Sequence, residues 1–134
     1  MTKLTEVEGI GEVYTGKLAQ TGIGTAEALL ERGATRKGRK ELAAQAGIDE
    51  TMILKWVNRV DLSRVSGIGE QYAGLLEAAG VDTVPELAHR RADNLYQKLV
   101  EVNQAKKLVR QLPSEGQVRG WVEAAAALPR AVEY

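Results

Sequence analysis

The chain has 134 residues and a net charge of zero, because 18 Lys and Arg residues are balanced by 18 Asp and Glu residues. Its 44% hydrophobic and 27% charged residues are typical of a globular protein and exclude a disordered one. The lack of Cys excludes disulfides and thiolate metal sites, and no apolar run is long enough to span a membrane. The first residues lack the apolar stretch of a signal peptide, so we expect a cytoplasmic protein without a membrane partner.

The predicted elements are short helices separated by glycine. In chain order these are a turn over residues 4–7, a helix over 12–20, a helix over 26–32, a helix that follows basic residues 35–40 and ends at Ala46, and a helix from 49 to about 59. Thr25, Asp49 and Ser114 are expected to cap helices, and Pro85 to begin one. No segment shows the alternation typical of a strand. The predicted fold is therefore an all-α multi-helix bundle.

The second half of the sequence repeats the first. The stretch VEGIGEVYTGKLAQTGIGTAEALLERG begins at Val7, and VSGIGEQYAGLLEAAGVDTVPELAHRR begins at Val65. The Trp-Val pairs that begin at Trp56 and Trp121 extend the similarity at a wider spacing, which indicates about seven extra residues in the second copy, expected within 103–114. We predict two tandem repeats, over residues 1–62 and 63–134. Identical pairs include Gly9/Gly67, Ile10/Ile68, Gly11/Gly69, Glu12/Glu70, Tyr14/Tyr72, Gly16/Gly74, Leu18/Leu76, Gly22/Gly80, Thr25/Thr83 and Leu29/Leu87.

Each repeat contains two apolar residues, then Gly-Ile-Gly, then a helix with Leu seven positions after the second Gly. Glycine allows a short turn between two helices because it tolerates unusual backbone angles and close approach. The N–H groups that follow the second Gly begin a new helix, so they suit an anion such as a phosphate oxygen. The pattern resembles the helix-hairpin-helix superfamily. It consists of Leu4, Val7, Gly9, Ile10, Gly11 and Leu18 in the first repeat, and of Leu62, Val65, Gly67, Ile68, Gly69 and Leu76 in the second.

Over nearly its full length the chain resembles an uncharacterised bacterial family of tandem helix-hairpin-helix proteins, known only as a domain of unknown function. Residues 47–49, Gly-Ile-Asp, look like a further, degenerate hairpin. The superfamily resemblance implies sequence-independent binding of the DNA backbone, with a monovalent cation at a hairpin as the only candidate cofactor. By the same resemblance, Lys17 adds positive charge beside the phosphate sites. Those sites would be lined by Gly9, Ile10, Gly11, Gly67, Ile68 and Gly69.

Glu12 and Glu70 depart from the DNA-binding pattern of that superfamily, whose members carry Lys, Arg or small polar residues just after the glycines. A carboxylate at this position satisfies the helix N-terminus itself and repels phosphate. The alternative function is therefore a protein–protein interaction adaptor or scaffold, in which the hairpins are only tight corners.

Two basic clusters are further candidate DNA contacts. We expect the first to lie between helices around Gly38, and the second to occupy a comparable place in the second repeat. The alternative for both is a solvated surface balanced by nearby acidic residues. The first cluster consists of Arg36, Lys37, Arg39 and Lys40, and the second of Lys106 and Lys107, with Arg110 close by.

The remaining patterns point away from catalysis and from base recognition. Residues 39–57 also fit a helix-turn-helix, but its recognition helix would begin with two acidic residues. Trp56 and Trp121 are predicted core residues, whereas Tyr14 and Tyr72 would rest on the neighbouring repeat or present hydroxyls to a partner. The single His89 has no companion that would activate a nucleophile, so we expect no enzyme activity and no small-molecule substrate.

Overall fold

The computed structural model describes residues 2–134, and its regular structure is helical. A 3₁₀ turn (Leu4–Glu6) precedes the α-helices, and one isolated bridge between Lys3 and Thr25 is the only β pairing in the described residues. The predicted all-α class is confirmed. The helices are α1 (Glu12–Ala19), α2 (Ala26–Arg32), α3 (Arg36–Ala46), α4 (Glu50–Leu62), α5 (Glu70–Ala78), α6 (Val84–Ala88), α7 (Ala92–Lys106) and α8 (Glu115–Ala127).

The chain divides into two compact units of similar helical plan. The first comprises the residues up to Asp61 together with Arg130–Tyr134, and the second comprises Leu62–Pro129. The sequence repeat placed residues 130–134 in the second copy, but they pack with the first unit instead. The second unit is thus inserted, in the order of the chain, between two segments of the first.

Each unit has a core of aliphatic side chains around one tryptophan. Trp56 in the first unit and Trp121 in the second are 2% and 3% exposed, which confirms their predicted place in the core. Aliphatic residues fill the cores because the sequence lacks Phe. Fully buried members are Leu18, Ile23, Leu29, Leu42 and Ile53 in the first unit, and Leu75, Leu76, Leu87, Leu95 and Leu99 in the second.

Side-chain caps begin most of the helices. The hydroxyls of Thr25, Thr35, Thr83 and Ser114 each accept a hydrogen bond from the backbone N–H three residues later. A carboxylate oxygen of Asp49 accepts bonds from the hydroxyl and N–H of Thr51, and these two bonds lower the pKa of Asp49. The predicted caps at Thr25, Asp49 and Ser114 are therefore confirmed, and Pro85 lies in the first turn of α6 as expected.

The first basic cluster does not lie between helices, contrary to the prediction from Gly38. Thr35 caps α3, so the cluster occupies the first turn and a half of that helix. Gly38 lies inside α3, and glycine is required there because a Cβ would overlap the carbonyl oxygen of Arg32 at the end of α2. This glycine allows α2 and α3 to pack closely, and it does not interrupt α3.

The two units differ most between their last two helices. Three residues, 47–49, join α3 to α4, whereas eight residues, 107–114, join α7 to α8. Helix α7 is also longer than α3, with 15 residues against 11. The predicted insertion therefore lies in the end of α7 and in the following loop, and this loop reaches the candidate site of the second unit.

Candidate functional site

Each unit contains a Gly-Ile-Gly turn in which the first glycine has a backbone that other residues rarely adopt. The φ angles of Gly9 and Gly67 are +92° and +90°. A Cβ added to either glycine would lie 3.1 Å from Nε1 of the buried tryptophan of that unit. Both constraints require glycine, because an L side chain is strained at this φ and would push against the indole. Gly9 and Gly67 are thus explained by the fold itself.

The central isoleucine of each turn points into the core. Ile10 and Ile68 are both 3% exposed, and each donates its N–H to the carbonyl of the valine three residues earlier, at 3.1 Å. Their side chains anchor the turn in the core of each unit. The side chains of these two candidate site residues therefore do not face a ligand outside the protein.

The second glycine of each turn caps a helix without supplying a side chain. Gly11 and Gly69 precede α1 and α5, with φ angles of −92° and −89° and no atom within 4 Å of the space that a Cβ would fill. Neither backbone angle nor space requires glycine at these positions. Because glycine has no side chain, the N-cap residue itself supplies no acceptor to the first-turn N–H groups of α1 and α5. Both repeats share this property, which the fold does not explain.

A cleft of about 430 Å³ adjoins the second Gly-Ile-Gly turn. It is lined by Gly67, Gly69 and the start of α5 on one side, and by Arg110 and Gln111 of the 107–114 loop on the other. Arg110 is exposed and forms no ion pair within the described chain. The insertion in the second repeat thus brings a free guanidinium to an uncapped helix N-terminus. The carboxylate-bearing Glu70 lines the same cleft.

The loop that carries Arg110 is fixed by two side chains. Asn103 accepts from the N–H of Val109 at 3.0 Å and donates to its carbonyl at 3.1 Å. The hydroxyl of Tyr72 donates to the carbonyl of Gln111 at 3.1 Å. Tyr72 also packs against Trp121, with the ring centroids 5.3 Å apart. Arg110 is therefore held beside the turn by bonds on both sides of it.

The predicted basic residues of the second unit lie along this loop. Lys106 is the exposed last residue of α7, and Lys107 follows it with a left-handed φ of 51°. Lys107 and Arg110 both line a cleft that adjoins the one at the turn. Lys107 thus lines the neighbouring cleft and not the one at the turn itself. Arg110 belongs to the predicted basic group but was not predicted as a site residue, because only the fold shows which part of the loop meets the turn.

The first Gly-Ile-Gly turn has different surroundings. Tyr14 packs edge-on against Trp56 at 5.0 Å between ring centroids, and its hydroxyl contacts the sulfur of Met52. The Lys17 ammonium lies 5.8 Å from the centre of the Tyr14 ring. Glu8, immediately before the turn, forms an ion pair of 3.0 Å with Arg59. No inserted loop is present here, because only residues 47–49 join α3 to α4.

The first basic cluster divides into exposed and buried residues. Arg36, Lys37 and Lys40 are exposed and line a shallow cleft with Glu41 and Glu50. Lys37 lies 4.0 Å from Glu41, so part of the positive charge is balanced. The cluster is a mixed surface, and its three exposed basic residues remain accessible to a polyanion.

Arg39, by contrast, is 3% exposed. Its guanidinium donates to the carbonyls of Gly33 at 2.9 Å and Ala34 at 3.3 Å, and to the carbonyl of Glu133 at 2.6 Å. Its side chain cannot contact a phosphate while it holds these three acceptors. The prediction that Arg39 contacts DNA is therefore wrong. Part of the reason is its bond to Glu133, which lies 94 residues later in the sequence.

In residues 2–134, no group of three or more His, Cys, Asp or Glu side chains is placed to hold a metal ion. His89 is exposed at the end of α6. None of the helices in the described part of the chain has both the length and the apolar character needed to cross a membrane.

The family is shown by a match over residues 8–128, which covers both repeats. The chain belongs to the family described as Domain of unknown function (DUF4332). No curated protein and no solved structure matches the chain.

Proposed function

We propose that each unit is built on a helix-hairpin-helix motif and that the chain binds the phosphate backbone of duplex DNA without reading its sequence. The observation that carries this proposal is the recurrence of glycine at positions 11 and 69, where the fold does not require it. An uncapped helix N-terminus offers N–H donors and the positive end of the helix dipole to a phosphate oxygen. A glycine there lets the phosphate approach the backbone closely.

The second turn is the stronger of the two proposed phosphate sites. Arg110 lines its cleft and adds a full positive charge beside the N–H groups of α5. Lys107 extends the positive surface along the adjoining cleft. At the first turn the nearest basic candidate is Lys17, whose counterpart in the second unit is the buried Leu75. The two repeats thus share the turn and differ in the basic side chain beside it.

Glu70 and Glu12 are expected to weaken binding without abolishing it. Both carboxylates lie in the first turn of the helix that would meet the phosphate. With a net charge of zero, the chain has no long-range attraction to DNA, so affinity depends on local contacts. We expect micromolar binding through two or three phosphates, which weakens about 10- to 40-fold between 50 and 200 mM salt.

The adaptor alternative needs an exposed apolar surface, and few large apolar side chains are available for one. Among the described residues, the exposed ones are Val13 in the first unit and Leu108 in the second. Isolated apolar residues of this kind are normal on protein surfaces. We therefore favour DNA as the partner and propose a cytoplasmic, non-catalytic role, with a monovalent cation at a turn as the only candidate cofactor.

The decisive measurement is fluorescence anisotropy of a labelled duplex of about 20 base pairs, titrated with the purified chain at 50 and 200 mM salt. Gly69→Asp places a negative charge at the second turn in a position with free space and an ordinary φ. Asp is also a favourable N-cap, so the variant remains folded. Gly69→Ser is the matched control, because it caps the helix without a charge. We expect Gly69→Asp to weaken binding at least tenfold and Gly69→Ser to weaken it less.

Further variants assign the contacts. Arg110→Ala should weaken binding and reduce its salt dependence, while Gly11→Asp should have a smaller effect than Gly69→Asp. Neutralising Arg36, Lys37 and Lys40 together tests whether the first basic cluster adds to binding. No binding of the unmodified chain at 50 mM salt would refute the proposal, and the turns would then be corners of an interaction scaffold.

A further inference from the structure

The first unit contains a groove that is occupied by a distant segment of the same chain. Residues Arg130–Tyr134 lie there without regular secondary structure. Val132 is 1% exposed within the core of the first unit, and the N–H of Glu133 donates to the carbonyl of Ala34 at 2.7 Å. The segment is thus held by a buried side chain and by its backbone.

Arg39 places a charged hydrogen-bond donor inside this groove. Its guanidinium is almost completely buried and bonds to two carbonyls of the turn between α2 and α3 and to one carbonyl of the segment. In the second unit, the fourth residue of the corresponding helix is Leu95, which is fully buried. A buried guanidinium is stable only with its donors satisfied, so the groove requires a peptide carbonyl at the position of Glu133. The groove therefore binds this peptide segment through a buried charged side chain as well as through Val132.

Contacts within the segment stabilise its conformation. The Arg130 side chain donates to the carbonyl of Val132 at 2.9 Å, and its guanidinium lies 5.4 Å from the centre of the Tyr134 ring. These contacts lie within the segment, so they do not depend on which copy of the chain supplies the groove. Only residues 128–129 connect the segment to the end of α8.

We propose that the groove of the first unit also accepts Arg130–Tyr134 from a second copy of the chain, so that two copies associate by exchanging this segment. The contacts of Arg130, Val132 and Glu133 can be reproduced between copies, because their partners lie in the first unit or within the segment itself. Exchange of an identical element is an accessible route to a dimer, especially across a short connection. Intramolecular docking competes with an effective concentration on the order of 1 mM, so exchange requires protein concentrations in that range.

The test uses two single-cysteine forms of the full chain, Ala34→Cys and Glu133→Cys, which are unambiguous because the described residues contain no cysteine. The two forms are mixed at about 1 mM, incubated for hours, diluted, and treated at once with a short bismaleimide. Every cross-link is then between copies. We expect links from residue 34 to residue 133 to exceed the 34–34 and 133–133 links several-fold, as measured by mass spectrometry of the digested dimer.

Two matched controls locate the contact. Val132→Asp in the chain that carries Glu133→Cys removes the apolar anchor from the donated segment. Arg39→Leu in the chain that carries Ala34→Cys installs the residue of the second unit in the receiving groove. Each should reduce the 34–133 excess to the level of the like-residue links. If 34–133 links are no more frequent than like-residue links in the unsubstituted pair, the segment remains with its own copy and the proposal is wrong.

Discussion

Gly67→Ser and Gly69→Ser are a matched pair of substitutions that separates the glycine required by the fold from the glycine that the fold leaves free. Both place the same side chain on the second Gly-Ile-Gly turn. At Gly67 the φ angle is +90°, and the new Cβ would lie 3.1 Å from Nε1 of Trp121. At Gly69 the φ angle is −89° and the space is open. The two variants therefore differ in backbone conformation and in the neighbour of the new atom.

The expected effects differ in size and in sign. A left-handed conformation costs a residue other than glycine about 1–2 kcal/mol, and displacement of the buried indole adds to this. We expect Gly67→Ser to lower the free energy of unfolding by about 2 kcal/mol. Gly69→Ser supplies a side-chain oxygen to the N-terminus of α5. It should therefore raise the free energy of unfolding by about 0.3 kcal/mol.

Urea unfolding followed by circular dichroism measures the difference. With a slope of about 2 kcal/mol per molar urea, Gly67→Ser should move the midpoint down by about 1 M. Hydrogen exchange with mass spectrometry should place the lost protection in α5 and α8, and Gly9→Ser should have the corresponding effect around α1 and α4. Equal midpoints for the two serine variants would refute the argument, because they would show that neither φ nor the indole limits position 67.

Three further predictions concern the buried Arg39, the carboxyl of Glu86 and the proposed phosphate site. Arg39→Leu should lower the free energy of unfolding by about 2–3 kcal/mol, because three carbonyl groups lose a charged donor. It should also speed amide hydrogen exchange at Glu133, and an unchanged exchange rate there would contradict the prediction. The pKa of Glu86 is raised by desolvation and by the nearby charge of Asp82, so its ionised form favours the unfolded state above its pKa. Glu86→Gln should therefore raise the melting temperature at pH 7 and lose that advantage below about pH 4, whereas an equal gain at both pH values would exclude charge as the cause. Glu70→Gln should strengthen DNA binding several-fold in the anisotropy assay, and weaker binding would show that this carboxylate does not oppose a phosphate.

The sequence alone determined the local structure, because the responsible interactions act over a few residues. A threonine or serine at the N-cap accepts a hydrogen bond from the N–H three residues later, a contact that lies within one turn of the chain, so Thr25 and Ser114 could be placed without a fold. The second occurrence of Gly-Ile-Gly in an otherwise similar stretch likewise indicated two similar turns. Glycine itself was ambiguous. At Gly38 it allows two helices to approach, whereas the sequence predicted a break between helices at this position.

Only the tertiary structure decided which basic residues can meet a phosphate. Arg39 and Arg110 look alike as members of basic runs, yet one is buried among carbonyls and the other is exposed beside the second turn. The acceptor that completes the surroundings of Arg39 is Glu133, 94 residues later in the chain. Charge composition is a property of short segments, whereas burial is set by whichever distant segment packs against them. For this reason the Gly-Ile-Gly pattern was enough to predict the turns, whereas the tertiary structure was needed to show which basic residues are exposed beside them.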